Sequence, residues 1–159
     1  MNSTQKQALK FWATSLLWMG LIAVESTGAM SADNTSRFLY PIFHFLTGMD
    51  LIRFEVWHHY LRKAGHFVGY ATLSFLLFMA WRATLNSSLL RWRVRWSGIA
   101  FFMTVTVASL DEWHQTFLPS RTGTFRDVLL DSFAALVAQI LIAVFLLTRH
   151  VPTNPKASV

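Results

Sequence analysis

Four apolar blocks constrain this chain more than any other feature. They run about Ala8 to Val24, Ala64 to Trp81, Ser97 to Leu110 and Asp127 to Thr148. The third continues in a more polar form to Phe117. Each approaches the roughly 20 residues that cross a hydrocarbon core as a helix. A soluble core helix is usually shorter and keeps a polar face. Phe101, Phe102, Met103, Val105, Val107 and Leu110 leave no such face, and Leu136 to Leu147 is apolar except for Gln139. Charged residues make up only 14% of the 159, against about 25% in ordinary soluble domains. High hydrophobicity excludes disorder over the bulk of the chain. The absence of cysteine excludes disulfides, a thiol nucleophile and cysteine-held metal clusters. The net charge of +6 would suggest nucleic acid in a soluble protein. Here the basic residues sit between apolar blocks, so the expected partner is a lipid bilayer and no nucleic acid is expected.

The expected fold is all-α: a four-transmembrane-helix bundle with an interfacial helical segment between helices 1 and 2. Lys6 and Lys10 before the first block fit a signal peptide, but no clear Ala-x-Ala site follows. Retention as a membrane helix is the expectation. Lys and Arg in the loops set orientation. With the N-terminus inside, inner segments hold eight of them, and Arg82, Arg91, Arg93 and Arg95 crowd one short loop. Outer segments hold six: Arg37, Arg53, Arg62, Lys63, Arg121 and Arg126. Both termini are therefore expected in the cytoplasm. Trp92 and Trp96 alternate with the arginines, as at a membrane interface. In the long first connector, Thr35 or Ser36 is placed to cap a short helix through Phe38, Leu39, Ile42, Phe43 and Leu46, which Gly48 would end. A second helix from Arg53 runs toward the second block. Residues 1–150 are expected to form one membrane domain and 151–159 a disordered tail.

Ionisable groups in membrane helices need a reason, since an Asp at a helix centre costs roughly 2.5–3.5 kcal/mol. Glu25 ends the first block, and Lys63 and His66 open the second. Asp111, Glu112, His114 and Gln115 close the third; Asp127 and Asp131 open the fourth, with Arg121 and Arg126 in the link. An up-down-up-down bundle carries all of them to one face, the outer one in this orientation. Lys63 and His66 share a helix side, as do Asp111, His114 and Gln115. Asp127 and Asp131 lie one turn apart and repel unless a cation, metal or proton lies between them. Interhelical pairing in lipid is worth about 0.6 kcal/mol per contact, a weak reason for so many polar groups at one level. His44, His58, His59 and His150 fall in loops or at interfaces and are expected to be structural. Asn34-Thr35-Ser36 is a glycosylation triplet of the kind that arises often by chance.

Three chemistries fit the cluster. Asp111, Glu112, His114, Asp127 and Asp131 form an acid–base set, and Lys63, His66, Gln115 and Arg121 suit an anionic or glycosidic headgroup. A divalent metal on His66, His114 and a carboxylate is the third, a weak signal without a His-Glu-x-x-His pair. No metal ligand and no cofactor is assigned from sequence. Spacing leaves open a binding protein, a membrane hydrolase or transferase, and a non-catalytic assembly or sensor protein.

The chain resembles the VanZ-like family of small bacterial integral membrane proteins. The resemblance rests on Arg62-Lys63-Ala64-Gly65-His66-Phe67 with Tyr70 and Leu73, on Asp111-Glu112-Trp113-His114-Gln115-Thr116-Phe117-Leu118-Pro119-Ser120-Arg121, and on Asp127 and Asp131. It spans about Ala8 to Leu147. Ser120 replaces the usual Gly, Asp131 stands where Asn is common, and Ala134 and Ala138 replace Gly. The resemblance implies an inner-membrane protein and a link to resistance against the glycopeptide teicoplanin. A lipid-linked or glycopeptide ligand at the outer face would fit that link.

Overall fold

The computed structural model describes residues 1–85 and 93–148. Arg91, Trp92, Arg149, His150, Lys156 and the tail from 151 lie outside the described residues. Five α-helices follow in order, with no strand among the described residues. They are α1 (Ser3–Glu25), α2 (Ala32–Thr47), α3 (Leu51–Leu85), α4 (Val94–Gln115) and α5 (Phe125–Thr148), with a 3-10 turn at Gly28–Met30.

Local chemistry starts and stops these helices. Asn2 and Gln5 form a reciprocal capping box that opens α1: Gln5 N donates to Asn2 Oδ1 (2.8 Å), and Asn2 N to Gln5 Oε1 (3.0 Å). Ser31 caps α2, four residues ahead of the expected Thr35. The Thr35 and Ser36 hydroxyls serve another purpose: each lies 3.1 Å from a ring nitrogen of His58 on α3. Both imidazole nitrogens are thereby satisfied, and His58 clips α2 to α3. Gly48 ends α2 with φ +67°, a left-handed conformation that glycine adopts without strain.

Helix α3 has 35 residues, about 52 Å at 1.5 Å per residue. That exceeds a hydrocarbon core of about 30 Å, so one end projects beyond it. Its first turns carry Arg53, Glu55, His58, His59 and Arg62. The expected helix from Arg53 and the second block are thus one continuous element. Amphipathic α2 packs on this extension through Tyr40 and Phe43, whose rings lie 5.4 and 5.7 Å from that of buried Phe54. The other side of α2 exposes Phe38, Ile42, Phe45 and Leu46, a face suited to a membrane surface.

Helix α3 touches each of the other four. It runs antiparallel to α1, with Trp18 Nε1 donating to the Gly69 carbonyl (2.9 Å) and Trp12 Nε1 to Thr84 Oγ1 (3.0 Å). It is antiparallel to α4, with Phe78 against Trp96 at one end and Tyr70 against Asp111 nearer the other. It is parallel to α5. Small residues let the backbones approach: Ala80, Ala100, Ala108, Ala134 and Ala135 are fully buried. Gln139 bridges α5 to α3 by donating to the Ser74 carbonyl (3.0 Å) and Ser74 Oγ (2.8 Å).

Outward surfaces are apolar: Leu17, Phe102 and Leu141 are 72%, 68% and 63% exposed. In water this would be a large aggregation liability; in a bilayer it is the solvated surface. Helices α1, α3 and α5 are long and apolar enough to cross a membrane. Helix α4 has 22 residues, enough to cross by length, but carries Arg95 near one end and Asp111 and Glu112 near the other.

Candidate functional site

The polar groups converge where α1 and α4 end and α5 begins, three to five turns along α3. Helix register brings them together. On α3, Lys63, His66 and Tyr70 rise at i, i+3 and i+7, one stripe. On α5, Asp127 and Asp131 form the facing stripe, and the parallel run of the helices pairs them in order. Lys63 forms an ion pair with Asp127. One turn deeper, His66 Nδ1 lies 3.6 Å from Asp131 Oδ2. That distance is too long for a hydrogen bond and short enough for strong electrostatic contact.

The α4 side chains divide. Asp111 Oδ2 accepts from Tyr70 OH (3.0 Å) and from Gln115 Nε2 (3.2 Å). Glu112 points the other way around the helix and is buried. Its Oε2 accepts from the Thr124 backbone N–H (2.8 Å), while its Oε1 has no hydrogen-bond partner among the described residues. His66, Glu112 and Asp131 offer donor atoms within 4.8 Å of one another. His114 stands apart, exposed, with Nδ1 3.4 Å from Ser26 Oγ at the end of α1. Arg126 is exposed at the start of α5.

Arg121 reaches back to α1. Its guanidinium donates to the Thr27 carbonyl through Nε (3.1 Å) and one terminal nitrogen (2.9 Å), and also to the Glu25 carbonyl. The Glu25 carbonyl ends α1 and the Thr27 carbonyl lies just beyond it, at the negative end of the helix dipole. Burial, then the neighbouring Arg62 charge, pulls the Arg121 pKa below its ordinary value. Arg62 donates to the Met30 carbonyl (2.8 Å). Both guanidiniums are therefore anchored by neutral acceptors, and among the described residues neither has a carboxylate within ion-pair distance.

A pocket of about 180 Å³ opens beside these groups. Arg62, Lys63 and Arg121 line it with His59, His66 and Gln115, against one carboxylate, Asp127. A smaller pocket under the end of α1 is lined by Glu25, His66, Tyr70 and Asp111, so His66 borders both. Arg62, His59 and Tyr70 join the site although sequence spacing does not mark them as site residues, and His59, expected to be structural, lines the larger pocket. Arg62 and His59 sit one and four residues before Lys63 on the same helix. That spacing was a usable signal once α3 is known to continue upstream of the apolar block.

Fold and site together define a class: a multi-pass helical membrane protein whose polar groups gather at one end of its bundle. The family model described as VanZ/LLP1 matches residues 11–146, and the chain belongs to this family. No curated protein and no solved structure matches it.

Proposed function

We propose that the pocket binds the anionic head of a cell-envelope amphiphile at the outer leaflet of the bacterial inner membrane. In this reading four helices span the membrane, α2 lies on its outer surface, and both termini are cytoplasmic. One observation carries the proposal. Three cations line the pocket against a single carboxylate, and two of them are held by backbone carbonyls. Arg62 and Arg121 repel each other, so an anion between them relieves that repulsion. Guanidinium groups suit a phosphate or carboxylate through paired N–H donors. Helices α2 and α3 both contribute to the pocket's lining and both carry exposed apolar side chains, which suit the lipid portion of such a ligand.

The family resemblance extends the proposal to teicoplanin, a lipidated glycopeptide that meets lipid-linked precursors at the same leaflet. A sensitive host expressing the wild-type chain is expected to tolerate more teicoplanin than an empty-vector control. His66→Ala and Asp127→Asn, at matched membrane abundance, are expected to abolish that protection. Full protection by both variants would remove these residues from the site. No protection by the wild type would end the antibiotic reading for this chain.

A further inference from the structure

Beside the cation-lined pocket lies a group of opposite character. Asp131 is fully buried, and neither carboxylate oxygen has a hydrogen-bond partner among the described residues. Glu112 is 3% exposed, with Oε1 unpartnered. Three of the four oxygens of these two buried carboxylates thus lack a donor among the described residues, which is costly in a low-dielectric interior. Lys63 is committed to Asp127, and the Arg121 guanidinium is tied to the end of α1. Of the cations named at this end, only His66 faces Asp131, and one imidazolium leaves a carboxylate uncompensated. We propose that His66, Glu112 and Asp131 coordinate a divalent first-row cation, Zn²⁺ or Mn²⁺.

Charge, donor type and distance agree with this assignment. A divalent ion balances two carboxylates while the imidazole stays neutral, the form in which it ligates. One nitrogen and two oxygen donors suit Zn²⁺ or Mn²⁺. Bonds of about 2.1 Å in a tetrahedron place ligand atoms about 3.4 Å apart. The 3.6 Å between His66 Nδ1 and Asp131 Oδ2 already fits that edge. The three donor atoms all lie within 4.8 Å of one another, so the widest gap reaches that edge by a contraction of at most about 1.4 Å. The Thr124 N–H on Glu112 Oε2 orients that carboxylate from behind, as supporting hydrogen bonds do in metal sites. Asp111, held by Tyr70 and Gln115, remains outside the set. Three protein ligands leave a coordination position for water or for an oxygen of a bound headgroup. The site stands on its own atoms, and its test needs no lipid ligand.

The full-length protein, purified in neutral detergent, is stripped with a chelator and dialysed against Zn²⁺ or Mn²⁺ at about 10 µM. Elemental analysis is expected to find about one equivalent per chain of at least one of the two ions. Asp131→Asn and Glu112→Gln are each expected to lower that affinity at least about tenfold, while eluting as the wild type does. Bound Mn²⁺ is also read by the loss of its free-ion electron paramagnetic resonance signal. Retention of neither ion by the wild type overturns the proposal, whatever the variants do. Equal binding by the wild type and a folded Asp131→Asn variant overturns it as well.

Discussion

Gly123→Ala is expected to destabilise the bundle by about 3–5 kcal/mol and to disorder the link into α5. A Cβ at this position would collide with the Glu112 carbonyl and would lie 2.8 Å from Thr116 Cγ2 and 3.0 Å from Thr116 N. Two of these neighbours are backbone atoms, one in the last turn of α4 and one at its C-cap, which cannot swing aside as a side chain can. The link must therefore move. Thr124 is the next residue, and it makes two contacts there. Its N–H donates to Glu112 Oε2 (2.8 Å), and its Oγ1 accepts from Asp127 N (3.3 Å) as the cap of α5. A cap is worth about 1 kcal/mol and a hydrogen bond to a charged group about 1.5–3 kcal/mol. Reversible unfolding in mixed micelles reads the loss. A change below about 0.5 kcal/mol, the usual range for neutral surface substitutions, would mean that the link relaxes freely.

Arg121→Ala is expected to cost about 2–3 kcal/mol, and Arg121→Lys to recover less than half of it. The guanidinium spans two carbonyls at the end of α1 from a loop more than ninety residues away in sequence. A lysine restores the charge and its favourable interaction with the helix dipole, worth about 0.3–1 kcal/mol. It cannot supply the planar pair of donors that holds both acceptors. Unfolding of the two variants under identical detergent conditions separates the contributions. Full rescue by lysine would show that charge alone, without the fork, ties the loop to α1.

Much of the fold is legible in the sequence because hydrocarbon imposes length and composition on whatever crosses it. The third and fourth blocks coincide with α4 and α5 to within a few residues. The second begins thirteen residues later than its helix, because hydropathy marks where α3 enters apolar surroundings, not where its hydrogen bonding starts. The interfacial segment and its end at Gly48 are legible from amphipathic spacing and from glycine at a helix terminus. Its start is not, since Ser31, Thr35 and Ser36 carry the same capping hydroxyl. Only the position of His58 on α3 decides which of them are used elsewhere.

The candidate site divides in the same way. Alternating helix direction suffices to gather the ionisable groups of the helix ends at one end of the bundle. Which of them meet depends on rotation about each helix axis, which spacing within one helix does not determine. Glu112 and Asp111 are neighbours in sequence, yet they serve separate networks because they are about 100° apart around α4. His114, one turn from Asp111, reaches α1 and not α3. Gly123 carried no sequence signal, because its role comes from a close approach of two backbones and not from its own torsions.

A headgroup site at the cation-lined pocket is read out by binding of an anionic lipid to the delipidated protein. Native mass spectrometry compares phosphatidylglycerol with phosphatidylcholine on the wild type and on an Arg62→Gln, Lys63→Gln variant. Arg121 is left intact there because it also holds the bundle. The wild type is expected to retain phosphatidylglycerol preferentially, and the variant to lose that preference. Equal retention of both lipids by the wild type would contradict a headgroup site, as would a preference that survives removal of both charges.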